Sequence, residues 1–197
     1  HGAEGSISIF PPREHCNSQG VNDMGCTPEF LPGYRPITDS NALSSLADEW
    51  GVDSLQFSGD NPANDLLRNC AEGTIKFLHI AGEDPVHSFY KGSEIKNALQ
   101  TVPFLVVQDV YMTETAKLAD IILPTTTYTE KEGSFTNMTR HVQKVTPATS
   151  PQNQSRTDHD IFVQLAEVFG NKLKNSSVAE VQDEISKTVP IYKGTLP

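Results

Sequence analysis

The stretch FLVVQDVYMTETAKLADIILPTTTYTEKEGSFTN, residues 104–137, decides the fold. It contains two short apolar runs, residues 104–107 and 121–123, too short and too rich in Val and Ile to be anything but buried parallel strands. Between them Thr113 is placed to cap a helical segment running through Ala119, its hydroxyl accepting from a first-turn amide, and Asp120 leads directly into the second run. The unit reads as β-α-β. Polar groups follow each strand, Gln108 and Asp109 after the first and a Pro-Thr-Thr-Thr run, residues 124–127, after the second. Open parallel sheets bind ligands at these carboxyl ends.

Working outward, residues 75–80 read as a further parallel strand, followed by the loop AGEDP (81–85) and a helix near residues 92–99. The three strands make a β-α-β-α-β core, and right-handed crossovers place its two helices on one face if the strand order runs one way. The fold class is therefore α/β, Rossmann-like, with a mostly parallel sheet flanked by helices. Helices are also expected over residues 40–50, with Leu43, Leu46 and Trp50 on one face, and 62–70, presenting Leu66, Leu67 and Cys70. Residues 1–37 are dense in Gly, Pro, Asn and Ser and read as loop, with 7–10 the one strand candidate; so long an irregular stretch is unusual unless it serves a function.

After residue 123 a long loop leads to a strand at 142–145. A helix starting at residues 155–158 runs to about residue 169, with Ile161, Phe162, Leu165 and Val168 at helical spacing and Gly170 as its stop. A last amphipathic helix covers residues 178–188 with Val181 and Ile185 inward, and the tail from 189 is extended. The whole reads as one domain, 1–197, with a loop region (1–37), the βαβαβ core (40–123) and a segment of long loop, strand and helices (124–197).

Charge narrows the partners: 15 Lys plus Arg against 25 Asp plus Glu give a net charge of −10, with no basic stripe to track phosphates, which disfavours nucleic acid. No apolar run approaches the roughly 20 residues that span a bilayer, and no secretory leader pattern opens the chain. A soluble, cytoplasmic protein without a membrane span is expected. The three cysteines, Cys16, Cys26 and Cys70, form no C-x-x-C pair and read as free thiols in a reducing compartment, with no metal carried by this chain alone.

Three loops converge at the sheet's carboxyl edge: Gly82, Glu83 and Asp84; Gln108 and Asp109; Thr125, Thr126 and Thr127. Backbone amides near Gly82 and threonine hydroxyls suit phosphate oxygens, and carboxylates suit ribose hydroxyls or the N–H edge of guanine. No G-x-G-x-x-G or P-loop occurs. The plainer alternatives stand beside this: Asp84-Pro85 as a turn dipeptide, Gln108 as a backbone bridge, Glu130 and Glu132 as solvated carboxylates, His79 as a packed, hydrogen-bonded strand histidine, and His15-Cys16 as a chance proximity.

Five co-linear segments, CNSQGVNDMG (16–25), LPGY (31–34), GEDP (82–85), QDVYMTETAKLADIILP (108–124) and EKEGSFTNMTRHVQKV (130–145), closely resemble the molybdopterin-dinucleotide oxidoreductases, and within them the formate dehydrogenase alpha subunits. The resemblance implies one half of a split α/β domain that grips molybdopterin guanine dinucleotides around molybdenum or tungsten. Gly82, Glu83, Asp84, Gln108, Asp109, Thr125, Thr126 and Asp158 match positions that contact a guanosine or its phosphates, and Asn17, Gln19 and Gly20 match the part that approaches the pterin. Arg13 matches an arginine near the metal, where it would stabilise an anionic substrate, and His15 would relay a proton; Glu14 and His15 stand where Gly and Gln are expected.

The resemblance further implies that the 4Fe–4S cluster, the residue ligating the metal and a capping β-barrel belong elsewhere in a longer catalytic subunit. This stretch alone is then inactive and holds no cofactor by itself. Its partners would be the rest of that subunit, iron-sulfur electron-transfer subunits and a small-molecule substrate. Two alternatives remain: a non-catalytic scaffold domain of an NADH dehydrogenase or hydrogenase-associated subunit, and a free-standing mononucleotide-binding protein.

Overall fold

The computed structural model describes residues 12, 15–55, 63–171, 173 and 177–194. Arg13, Glu14 and the strand expected at 7–10 lie outside the described residues. The chain divides into two compact units, one of His1–Phe57, Glu132–Val145 and Ser177–Pro197, the other of Ser58–Lys131 and Thr146–Ser176.

In the first unit, residues expected to be loop contain a short helix α1 (Ser18–Asp23) and two antiparallel strands, β1 (Phe30–Leu31) and β2 (Arg35–Pro36). Propensity missed them because tertiary contacts hold them: Asp23, 1% exposed, accepts hydrogen bonds from Gln19 Nε2 (2.8 Å) and from Tyr192 Oη (2.9 Å), and pairs with Arg140. Gly25 at φ +78 allows the turn between them, where a Cβ would meet the Pro32 nitrogen at 2.6 Å.

Helix α2 (Ser40–Trp50) is capped by Asp39, whose carboxylate accepts from the Asn41 and Ala42 amides, and ends at Gly51 with left-handed φ +67. It buries Ala42 and Leu46 against Leu31; Trp50 is half exposed and donates from its indole to Glu184 at 2.9 Å.

The second unit holds helix α3 (Ala63–Ala71) and the three-stranded parallel sheet β3 (Leu78–Ala81), β4 (Leu105–Asp109) and β5 (Ile121–Pro124), in the order β3-β4-β5. A four-residue helix α4 (Pro85–Ser88) and helix α5 (Gly92–Gln100) follow β3. Ile95, Leu99, Leu105, Val107 and Ala116 are buried together, with Leu78 and Ile80 packed against them.

Several expectations fail here: Phe104, expected in a buried strand, precedes β4 and is 40% exposed, and the strand expected at 75–80 covers 78–81. The Thr113-capped helix is a single 3₁₀ turn, Ala116–Leu118, although the Thr113 hydroxyl does accept from the Ala116 amide at 3.0 Å. β5 is the end strand of the three, and Ile121 and Ile122 are 44% and 36% exposed instead of buried.

The expected loop beyond β5 contains a capping-box turn at Thr127 and Glu130, and then, in the first unit, strand β6 (Gly133–Thr136) pairing antiparallel with β7 (Val142–Val145). Helix α6 (Asp158–Val168) is capped by Thr157. Its stripe is only partly core: Ile161 is buried, while Phe162 and Val168 are 46% and 81% exposed. Helix α7 (Val178–Thr188) begins at a Ser177–Glu180 capping box. The tail, expected to be extended, turns at Pro190–Tyr192 into a 3₁₀ helix that buries Tyr192. Among the described residues no helix is long and apolar enough to cross a membrane.

Candidate functional site

Parallel pairing aligns the carboxyl ends of the three strands: Ala81 lies opposite Gln108, Gln108 opposite Leu123, and Asp109 opposite Pro124. The ladder continues past them, Gly82 donating to the Gln108 carbonyl at 2.8 Å and Thr125 to the Asp109 carbonyl at 3.1 Å. Helix α6 then delivers its first residue to this edge. Asp158 Oδ1 accepts from Gln108 Nε2 at 2.6 Å and from Thr125 Oγ1 at 2.7 Å, and Lys131 Nζ pairs with Oδ2. Burial alone would raise the Asp158 carboxyl, but hydrogen bonds from Lys131 and Thr125, the Lys131 charge and the Gln108 amide together hold it below the usual carboxylate range. A carboxylate at the start of a helix is also favoured by the backbone dipoles there.

Thr125 and Thr126 are fixed by the chain beyond them. Thr126 N donates to the Arg156 carbonyl and Arg156 N to the Pro124 carbonyl, so residues 155–157 extend the edge as one more strand-like bridge. Thr126 is 1% exposed and its hydroxyl has no hydrogen-bond partner among the described residues, although buried polar atoms are nearly always paired. Beside this edge opens a cleft of about 920 Å³, lined by Val110, Tyr111, Thr125, Thr127, Glu130 and Gln152 among others. Glu130 accepts from the Thr127 and Gln152 amides, and the Thr127 backbone bond foremost lowers its pKa, so it is a structural carboxylate and not merely a solvated one.

The remaining loop residues divide. Gly82 sits at φ +67, a backbone turn that glycine suits, and a Cβ there would meet nothing within 4 Å among the described residues. Asp109 turns back to accept from the Tyr111 amide at 2.9 Å. Glu83 accepts from Ser88 Oγ at 2.5 Å. Asp84 is drawn into the unit's own frame: Oδ1 accepts from the amide (3.0 Å) and hydroxyl (2.6 Å) of fully buried Thr115. Burial pushes the Asp84 carboxyl up, but Thr115, the Glu114 amide and His87 outweigh it and the net shift is downward.

In the first unit, His15 and Cys16 are exposed, and the His15 carbonyl accepts from Ser18 at the start of α1. Asn17 Oδ1 accepts from the Thr136 amide at 2.9 Å. Gly20 protects that contact, since a Cβ on it would come within 2.4 Å of Asn17 Oδ1. Gln19 donates to Asp23 and to Tyr34 Oη. Gln19 thus holds its own loop together, and Asn17 ties that loop to β6.

The structure therefore brings Gln108, Thr125 and Asp158 into one bonded cluster, with Thr126 and Gly82 at the same edge, and directs Glu83, Asp84 and Asp109 to other partners. Lys131 was missed by sequence reading. Set between Glu130 and Glu132 it looks like one residue of a charged loop, and nothing local signals a carboxylate 27 positions on.

The molybdopterin oxidoreductase family model matches residues 13–168. The F420-dependent formate dehydrogenase 2 subunit alpha of Methanococcus maripaludis is 38% identical over 94% of this chain and 27% of its own length. Formate dehydrogenase H of Escherichia coli is 33% identical over 94% of this chain and 26% of its length. The NADPH-Fe(3+) oxidoreductase subunit alpha of Geobacter sulfurreducens is 33% identical over 93% and 21%. The chain thus spans about a quarter of the length of these relatives. Among solved structures, acetylene hydratase from Pelobacter acetylenicus shares the fold with a TM-score of 0.54 at 17% identity, over 71% of this chain and 22% of that one. The parallel βαβ core, its carboxyl-edge cluster and these matches lead to one conclusion: the chain belongs to the molybdopterin oxidoreductase family.

Proposed function

We propose that this chain is part of the catalytic subunit of a formate dehydrogenase-like oxidoreductase, and that the carboxyl edge of β3, β4 and β5 holds the guanosine end of a molybdopterin guanine dinucleotide. The observation that carries the reading is the buried, unpartnered Thr126 hydroxyl beside the Gln108–Thr125–Asp158–Lys131 cluster. A buried, orphaned hydroxyl costs stability unless something bonds to it, and a phosphate or ribose oxygen supplies what it lacks. Gly82 leaves room for a ligand to approach the backbone. The ionised Asp158 suits the N–H edge of guanine, and Lys131 balances its charge when no ligand does.

Bound at this edge, such a cofactor would supply two-electron redox chemistry at molybdenum or tungsten, with iron-sulfur clusters as acceptors. Residues of this chain then bind and orient it. Arg13 is assigned to an anionic substrate, and exposed His15 to proton transfer at an imidazole nitrogen. Partners are the rest of the catalytic subunit and iron-sulfur electron-transfer subunits. The exposed, unbridged thiols of Cys16 and Cys26 favour a cytoplasmic setting.

A scaffold role without cofactor is the second reading, favoured by the commitment of Asp84, Asn17 and Gln19 to internal hydrogen bonds. One experiment separates the two. Acid hydrolysis of the purified whole protein releases GMP if the dinucleotide is present, and Thr126→Val lowers that yield. A folded whole protein free of GMP and of formate-dependent dye reduction would leave the scaffold standing.

A further inference from the structure

Two buried side-chain atoms beneath α6 have no hydrogen-bond partner among the described residues: His79 Nε2 and Gln108 Oε1. Their positions are related. His79 is paired with Val106 and Ala81 with Gln108, so His79 and Gln108 project from the same face of the sheet, on neighbouring strands. Helix α6 covers that face with residues one turn apart. Asp158 takes the Gln108 amide at 2.6 Å, and the Phe162 ring lies 5.7 Å from the His79 ring, centroid to centroid. The Gln108 side chain is near enough to favour the protonated form of His79, while burial, the larger effect, lowers its pKa and keeps the imidazole neutral. A neutral imidazole has one N–H to place, and its position selects a tautomer.

Gln108 has only two ways to point its carboxamide. With Nε2 toward Asp158, as observed, the carbonyl oxygen is turned into the protein. The flipped amide would set that oxygen against an ionised carboxylate. We propose that His79 is a positioning residue: as the Nε2–H tautomer it donates to Gln108 Oε1, locks the carboxamide with its N–H toward Asp158, and so orients the Asp158 carboxylate at the sheet edge. The chain of contacts would run His79, Gln108, Asp158, Lys131, from under the helix to the rim. This inference rests on the nucleotide reading of the same edge only for its effect on binding; the tautomer itself does not depend on it.

The test uses the whole protein labelled with ¹⁵N-histidine. The ring nitrogen shifts of His79 are expected to show a protonated Nε2 and an unprotonated Nδ1, and Gln108→Leu is expected to abolish that preference. GDP affinity is expected to fall about tenfold in His79→Phe, which keeps the ring volume but lacks the donor, and to recover in His79→Gln, whose amide reaches the same place as Nε2. A His79 found as the Nδ1–H tautomer, or one unaffected by Gln108→Leu, overturns the proposal whether or not GDP binds. A normal tautomer with no GDP affinity in the unsubstituted protein overturns instead the nucleotide reading.

Discussion

Asp158 Oδ1 lies 2.6 Å from Gln108 Nε2, joining the first residue of α6 to the carboxyl end of the central strand across fifty positions of sequence. Because Gln108 is fully buried and Thr125, 7% exposed, shares the same oxygen, this carboxylate organises the edge where two strands end. It does so only while ionised.

The pH dependence of stability follows from that. The folded-state pKa of Asp158 lies below its ordinary value of 3.8, so its contribution is fully present above that value and is lost as pH falls through the folded pKa. Asp84 shifts in the same direction and adds to the effect. Denaturant midpoints measured from neutral pH down to about 3 are expected to fall steeply at the acid end, and Asp158→Asn is expected to flatten that fall. Equal acid slopes in both proteins would contradict the assignment.

Thr126→Val is expected to raise the melting temperature of the ligand-free protein while weakening nucleotide binding. The hydroxyl is buried and unpartnered, so replacing it with a methyl group removes an unmet desolvation cost of about 1–3 kcal/mol. Paired calorimetric melting and binding measurements check both signs. A variant that melts lower would mean the hydroxyl has a protein partner.

Thr115→Val should act oppositely. Thr115 Oγ1 accepts from the Val86 amide and donates to Asp84, at a position with no solvent exposure. Its loss leaves both groups short of a partner and is expected to destabilise by about 1–3 kcal/mol, read from urea unfolding.

Tyr192→Phe tests the first unit. The phenol donates to buried Asp23 and lies 2.5 Å from the Thr136 hydroxyl. Burial, together with the Asp23 carboxylate, pushes the Tyr192 pKa up to about 12. In an ultraviolet phenolate titration Tyr192 should therefore ionise late, at about 12, and the Phe variant should lose that step and about 1.5–3 kcal/mol of stability.

Much of this was legible in the residues. The apolar runs at 104–107 and 121–123 located β4 and β5, though Phe104 precedes β4, and apolar residues at helical spacing located α2, α6 and α7. What escaped was set by contacts distant in sequence. α1 ends at Asp23, which meets Tyr192 169 positions away. β6 contains Gly133 and Ser134, poor strand formers that pairing with β7 overrides. At the site, residue type and position pointed correctly to the sheet edge, but no local pattern tells that Asp84 is spent on Thr115 while Asp158 faces the edge with Lys131.

The most direct test of the central claim, that this edge holds a guanosine, is calorimetric titration of the whole, cofactor-depleted protein with GDP and with ADP, repeated for Asp158→Ala. Saturable binding of GDP in preference to ADP, weakened at least about tenfold by the substitution, is the predicted result. A folded protein that takes up neither nucleotide, or one whose GDP affinity survives Asp158→Ala unchanged, would contradict it.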